Sequence, residues 1–385
     1  MPVSLIVRLL LVSGLLHAYI GLRLLPDLPL GPAASLAAIA WLVLSAVLMP
    51  APLLALRFGH RRWSDALAWL GYLCMGFFSS VFVLTVLRDC GLLAAAALHA
   101  ATRGAWSAAG LARPSAVAVP AVSALVTLAG LVNARRLASV VDVEVPIAGL
   151  PAALTGFTIV QISDIHVGPT IKRGYLDAVV AAVNRLKPDL VAVTGDIVDG
   201  DVARLRSHVA PLAELSARHG VYCVTGNHEY YSGADAWVAE LRRLGLHVMM
   251  NEGRLLHHDG AKLLVGGVTD YSAHHFHASH RSDAQAAARG ATADTALRVL
   301  LAHQPRSAPA AAEAGFHLQL SGHTHGGQFL PWNFFVRLQQ PFTAGLHRLQ
   351  DLWVYTSRGT GYWGPPVRFG APSEITRLRL VAQPG

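Results

Sequence analysis

The 385-residue sequence predicts an N-terminal transmembrane helical bundle followed by an α/β domain built on a β-sheet. Three observations carry that reading. Apolar residues make up 53% of the chain and charged residues only 14%, where a soluble enzyme carries ~25% charge. Uncharged stretches long enough to span a bilayer crowd the first third. From Val141 onward, short β-branched runs alternate with helical patterns. The length exceeds the ~100–200 residues of one domain, so the boundary falls near residue 140, with a bundle at 1–140 and a second domain at 141–385. Composition excludes a disordered chain, a coiled coil and a small secreted scaffold.

Charge follows the same division. Residues 1–141 hold ten Arg, no Lys and three acids (Asp27, Asp65, Asp89), a balance of +7. The remainder holds 21 Lys plus Arg against 20 acids, a balance of +1, and the two make the net +8. The second domain lacks the clustered basic face of a nucleic-acid binder. Three widely spaced cysteines, Cys74, Cys90 and Cys223, form no paired framework and fit a reducing compartment or a role as small apolar fillers.

Ala34–Leu56, Ala66–Leu87 and Pro114–Ala134 contain no charged residue, and ~20 apolar residues suffice to cross a bilayer core. Leu5–Leu25 adds a fourth span, with Arg8 and Arg23 placed to snorkel toward opposite interfaces. It lacks the strongly basic start of a cleaved signal and is expected to remain as an anchor. Gly91–Thr102 is short and reads as interfacial or re-entrant. His17, His60 and His99 read as interfacial residues at helix ends. Arg57, Arg61 and Arg62 follow the second span, and Arg135 and Arg136 follow the fourth. The positive-inside rule then places both ends of the bundle, and the second domain, in the cytoplasm of a multi-pass inner-membrane protein.

In the second domain, Val141–Val145 alternates with period two, as a half-buried strand does. Further strands are expected at Phe157–Ser163, Leu190–Thr194, Val221–Thr225, Lys262–Val268, Leu297–Ala302, Leu318–Leu320 and Leu352–Thr356. Helices are expected at Lys172–Leu186, Val202–Arg218 and Ala234–Leu244. Strands joined by crossover helices gather ligands at their carboxyl ends. Asp, Asn or His stands at five such ends: Asp164-Ile165-His166; Gly195-Asp196-Ile197-Val198-Asp199; Gly226-Asn227-His228-Glu229; His303-Gln304-Pro305; and Gly322-His323-Thr324-His325.

This ordered set (DxH, GDxxD, GNHE, a lone His, GHTH) resembles the calcineurin-like metallophosphoesterases over about Thr155 to Ile375. The flanking text VQISDIHVG, VTGDIVDG, VTGNHEYY and LSGHTHGGQF is most similar to the bacterial membrane-associated branch. The resemblance implies a β-sheet sandwich flanked by helices and two divalent metal ions, of the Mn, Zn, Fe or Mg kind. It implies Asp164, His166 and His325 on one ion, Asn227, His303 and His323 on the other, and Asp196 bridging both. These residue types suit the task, since a carboxylate bridges two cations and imidazoles bind borderline metals. By the same resemblance His228 serves the leaving oxygen as catalytic acid, Asp199 orients it, and Glu229 supports the site.

Two departures narrow the substrate. Gly200 stands where related phosphoprotein phosphatases carry a phosphate-clamping Arg, and Ser163 precedes the first Asp without the tyrosine ligand of purple acid phosphatases. Arg358, in a glycine-rich loop with Tyr362 and Trp363, is a candidate substrate contact. Thr170, Lys172 and Arg173 are candidates for an extended anion site. The histidines of His274–His280 read as a solvated lid segment. The resulting expectation is a membrane-anchored dinuclear-metal phosphohydrolase in which a metal-bridged hydroxide attacks a phosphodiester or pyrophosphate. By resemblance, a lipid-linked substrate such as UDP-diacylglucosamine is the nearest activity. A general or cyclic-nucleotide phosphodiesterase and a non-catalytic membrane sensor of phospho-ligands are the alternatives. No nucleic-acid or protein partner is implied.

Overall fold

The computed structural model describes residues 3–52, 61–103 and 110–383. They divide into two compact units, Met1–Val132 with Gly364–Val367, and Asn133–Trp363 with Arg368–Gly385. Arg57 and His60 lie outside the described residues, as does the end of the Ala34–Leu56 stretch.

The first unit contains α1 (Val3–Leu24), α2 (Pro32–Leu48), α3 (Arg61–Ala101) and most of α4 (Ala112–Arg135). Among the described residues three helices are long and apolar enough to cross a membrane, and α2 is shorter. Helix α2 ends just before Pro50 and Pro52, which cannot donate the backbone bonds that would extend it. Gly91–Thr102 is not the separate interfacial segment expected, because α3 runs through it as one 41-residue helix. The charges inside α3 are matched there. Arg88 is buried, pairs with Asp27 and donates to Ser115 Oγ at 3.0 Å, while Asp89 takes Arg23 at 2.8 Å and the Tyr19 hydroxyl at 2.7 Å. His17 lies within α1 and not at a helix end. It is buried, with Nδ1 2.8 Å from the Ser13 carbonyl, Nε2 3.0 Å from Ser45 Oγ, and its ring stacked on Phe78. His99 does sit exposed at the end of α3.

Among the described residues the second unit holds twelve strands in two six-stranded sheets. The first sheet runs β1 (Ser139–Ile147), β12 (Glu374–Ala382), β2 (Thr158–Ile162), β3 (Leu190–Val193), β4 (Val221–Cys223), β5 (His247–Val248). The second runs β10 (Gly345–Leu349), β11 (Leu352–Thr356), β9 (Leu318–Ser321), β8 (Thr295–Leu301), β7 (Ala261–Gly267), β6 (Glu252–His258). Strands β2 to β5 are mutually parallel, as are β7, β8, β9 and β11.

Side-chain alternation builds the layers. Ile159, Leu190, Ala192 and Leu378 of one sheet share a core with Val265, Val299, Leu318 and Leu320 of the other. The opposite face of the first sheet, with Val160, Ile162, Val191 and Val193, packs under α5 (Arg173–Arg185), α6 (Val202–Val209) and α8 (Ala234–Arg243). Leu264, Leu300 and Val354 of the second sheet pack under Ala284, Ala287, Ala308 and Ala311. This is the expected sandwich with helices on both outer faces. The helix expected over Val202–Arg218 stops at Val209 and tightens into a 3-10 turn over Ala210–Glu214, because Pro211 lacks the N–H and crowds the preceding turn.

Burial sets a stability expectation. Leu320 is fully buried between the sheets, so Leu320→Ala should destabilise this unit by ~2–5 kcal/mol. Leu338→Ala removes a side chain that is 81% exposed and should stay within about 0.5 kcal/mol. Comparing the two urea midpoints checks the assignment, and equal midpoints would contradict it.

Candidate metal centre

Five parallel strands end in one place. The turn after β2 supplies Asp164 and His166, that after β3 Asp196, and that after β4 Asn227 on the first turn of α7 (Asn227–Ser232). From the second sheet, β8 supplies His303 and β9 supplies His323 and His325. Five of these residues lie at positive φ: Asp164 (53°), His166 (55°), Asp196 (52°), His323 (70°) and His325 (51°). Left-handed backbone is uncommon for side-chain-bearing residues and persists only where the surroundings enforce it. Here it turns consecutive side chains inward. Gly226 and Gly322 allow the turns to touch. A Cβ on Gly226 would fall 2.1 Å from Asp196 Oδ1, and one on Gly322 would fall 2.1 Å from Asp164 Oδ2.

Ligand-type atoms meet in three overlapping groups, each within 4.8 Å: Asp164, His166 and His325; His166, Asp196 and His228; and Asp196, His303 and His323. Asp196 Oδ2 lies 3.1 Å from His303 Nε2 and 3.9 Å from both His166 Nε2 and His228 Nε2. The structure thus brings every sequence-predicted aspartate and histidine of the site together around Asp196.

Backbone and carboxylate partners decide which ring nitrogen faces inward. His303 Nδ1 donates to the Thr194 carbonyl at 2.7 Å, which leaves Nε2 toward Asp196. Asp199 Oδ1 is 3.0 Å from His166 Nδ1 and 2.6 Å from His228 Nδ1, so one carboxylate orients two imidazoles. Sequence reasoning gave it only His228. Glu229 is fully buried and accepts from four backbone N–H groups: Gly226 (2.7 Å), Asp196 (2.9 Å), Ile197 (2.7 Å) and Val198 (3.3 Å). Its support is therefore specific, because it fastens the turn after β3 to the turn after β4.

Several features fit bound cations. Asn227 Oδ1 is a buried acceptor without a hydrogen-bond partner among the described residues, and leaving such an atom unpaired costs ~1–3 kcal/mol. His166 Nε2 lies 3.1 Å from His325 Nε2, and His323 Nδ1 lies 3.2 Å from His303 Nε2. At that separation one nitrogen of each pair must carry a proton unless a cation stands between them. Asp164, Asp196, Asp199 and Glu229 concentrate carboxylates where water is excluded, and buried charge persists only when matched.

Titration follows from that crowding. Burial raises the Asp164 carboxyl. It pushes Asp196 the same way, but His303 and His228 outweigh it and leave Asp196 well below the carboxylate range. Burial and the Asp196 charge lift Glu229 to about 7. Burial and His303 bring His323 down to about 3, and burial with the Arg368 charge holds His325 far below its usual value. Both rings are thereby held neutral, the charge state in which an imidazole can bind a metal. His228 differs, since burial opposes its protonation but Asp196 and Asp199 carry it up to about 9.

Arg368 was missed in the sequence. It is fully buried, with Nη2 3.0 Å from His325 Nδ1 and Nη1 donating to the carbonyls of His325 (2.9 Å) and Arg358 (2.8 Å). A lone arginine in the stretch Pro365-Pro366-Val367-Arg368-Phe369-Gly370 was the available signal. Arg358 instead pairs with buried Glu374 at 2.9 Å, close to Gly326. The Thr170 carbonyl accepts from Arg135 at 3.0 Å, and Arg173 faces Asp177 at 3.5 Å. The His274–His280 segment forms two short 3-10 turns, largely exposed.

This metal-ready set at the carboxyl edge of a two-sheet sandwich defines a metal-dependent hydrolase class, and the comparisons place it more narrowly. The family model for calcineurin-like phosphoesterase matches residues 157–327. A transmembrane protein with metallophosphoesterase domain from Bos taurus is 41% identical over 280 residues, covering 69% of this chain and 63% of that protein. An uncharacterized metallophosphoesterase from Bacillus subtilis is 32% identical over 241 residues, covering 60% of this chain and 81% of that protein. One from Aquifex aeolicus is 31% identical over 228 residues, covering 59% and 85%. The chain belongs to the calcineurin-like phosphoesterases, a family of enzymes that use divalent metals. It spans 63% of the cattle relative's length, and its relatives include both animal and bacterial proteins.

The contact at Gly226 gives a direct check. Gly226→Ala places a methyl against Asp196 Oδ1 and should sharply lower the divalent metal retained after dialysis, with far-UV circular dichroism unchanged. Full metal retention would show that the close approach does not matter.

Proposed function

We propose that this chain is a membrane-anchored phosphohydrolase that holds two divalent metals. Asp164, His166 and His325 would hold one, Asn227, His303 and His323 the other, with Asp196 between. The observation that carries the reading is the meeting of these side chains at Asp196, beside a histidine that Asp199 orients. Cations bound there would polarise a phosphoryl group and make a water nucleophilic near neutral pH.

The remaining work falls to the chain's own residues. Attack on phosphorus breaks the bond to the leaving oxygen, which then needs a proton. The Asp199 carboxylate, 2.6 Å from His228 Nδ1, favours the protonated ring and so holds that proton in place. With Nδ1 donating to Asp199, Nε2 is the atom that delivers it. Gly200 has no side chain to clamp a phosphate, and its backbone is engaged by Trp237 Nε1 (2.9 Å) and Ser232 Oγ (3.1 Å). This favours a phosphodiester or pyrophosphate over a folded phosphoprotein. The apolar helices favour a substrate drawn from the bilayer, such as a lipid-linked pyrophosphate of the UDP-diacylglucosamine kind.

The division of labour is testable. His228→Ala should leave metal content unchanged and slow a poor leaving group by ~10²–10⁴-fold, with a smaller loss for a nitrophenyl ester. His325→Ala should lower metal content and both rates together. Loss of metal from His228→Ala, or equal slowing of both substrates, would remove the acid role.

The catalytic unit is proposed to face the cytoplasm of an inner-membrane protein. Four crossings place Arg57, Arg61, Arg62, Arg135 and Arg136 on one side, with α2, at 17 residues, at the short end of the ~17–25 that span. A reporter fused after Gly385 should read out in the cytoplasm, and a periplasmic signal would overturn the placement.

A further inference from the structure

Three exposed aromatic residues from separate parts of the chain line the approach to His228. Tyr231 is 63% exposed and lies one helical turn after His228 on α7, with ring centroids 5.1 Å apart in an edge-on arrangement. Trp363 is 51% exposed and meets the same imidazole at 5.8 Å, also edge-on. Phe276 is 46% exposed and extends the row beyond Tyr231 at 5.6 Å. Exposed aromatic rings gathered at one point mark a binding surface rather than a scattered accident of the surface.

The row is built, because each ring hangs from a fixed backbone. Gln328, in the turn that follows His323 and His325, accepts from Trp363 N at 2.9 Å and donates to Trp363 O at 2.9 Å. Tyr231 rides on the short helix that also presents Asn227 and His228. The Phe276 segment is anchored by Ala273, buried with Tyr230 and Ala234, and by the 3.1 Å contact between the Tyr230 hydroxyl and His280 Nδ1. The histidine-rich segment thereby holds Phe276 against Tyr231.

We propose that Tyr231, Phe276 and Trp363 form a subsite that stacks a flat unsaturated ring, of the nucleobase or aryl class, carried by the leaving group. The inference rests on the phosphohydrolase reading, which puts the leaving oxygen beside His228, and it adds what that group must carry. Aromatic side chains bind flat rings through offset and edge-on contacts that a flexible alkyl chain cannot reproduce, and such stacking is tolerant of which base is present. Tyr231 and Trp363 meet the imidazole at steep interplanar angles and stay more than half exposed, which leaves ring surface for a second ring.

The test uses the full chain in detergent with Mn²⁺ and reads binding by calorimetry, independent of turnover. The probes are methylphosphonate, hexylphosphonate, 2-cyclohexylethylphosphonate and 2-phenylethylphosphonate, none of which contains a cleavable ester. The phenyl compound should bind about tenfold more tightly than the hexyl and cyclohexyl compounds. Trp363→Ala and Tyr231→Ala should each erase most of that preference, while methylphosphonate affinity and metal content stay constant. Trp363→Phe should preserve the preference. Equal binding of the phenyl, cyclohexyl and hexyl compounds would overturn the ring subsite and leave the phosphohydrolase reading intact. So would variants that weaken methylphosphonate as much as the phenyl compound. If methylphosphonate itself fails to bind the native protein, the phosphohydrolase reading fails, and the subsite falls with it.

Discussion

Glu229 accepts the backbone N–H groups of Gly226, Asp196, Ile197 and Val198, and the geometry of the site depends on that clasp. It fixes the turn carrying Asp196 against the turn carrying Asn227 and His228. The turns can close only because Gly226 has no Cβ to strike the Asp196 carboxylate. With the clasp made, the backbone N of His228 donates to Asp196 Oδ1 at 2.9 Å. The central carboxylate is then held by its own backbone neighbours, which is the preorganisation a reactive centre needs.

Charge balance follows from the same compression. Carboxylates that have lost water must find positive charge, and the histidines around Asp196 divide into two kinds. His323 and His325 are kept neutral by burial and by neighbouring positive charge, whereas His228 is kept protonated by Asp196 and Asp199. One compact cluster therefore holds neutral and protonated imidazoles side by side. Arg368 contributes from behind, its buried guanidinium placed against His325 and bonded to backbone carbonyls rather than to a carboxylate.

The helical unit solves a related problem in apolar surroundings. Arg23 and Arg88 would be costly among apolar helices, and each is answered by an acid, Asp89 and Asp27. Those pairings let α3 continue unbroken past a stretch that, read locally, looks like the end of a membrane helix.

Much of the molecule was legible in the sequence. Uncharged runs, period-two alternation and the Asp, Asn, His and Gly residues at strand ends are local signals. They identified most of the N-terminal apolar helices, most of the strands and the residues that converge at Asp196. Strand β12 was overlooked although Leu378 and Leu380 alternate with Arg377 and Arg379. Its place between β1 and β2 could not be read, because periodicity encodes which face is buried and not which strand lies alongside. The same limit explains the rest. That Asp199 serves two imidazoles, that Glu229 clasps two turns, that Arg368 backs His325 and that Trp363 meets His228 are contacts between distant residues. Tertiary packing alone decided them, since a side chain's type sets what it can bond and the fold sets which partner is within reach.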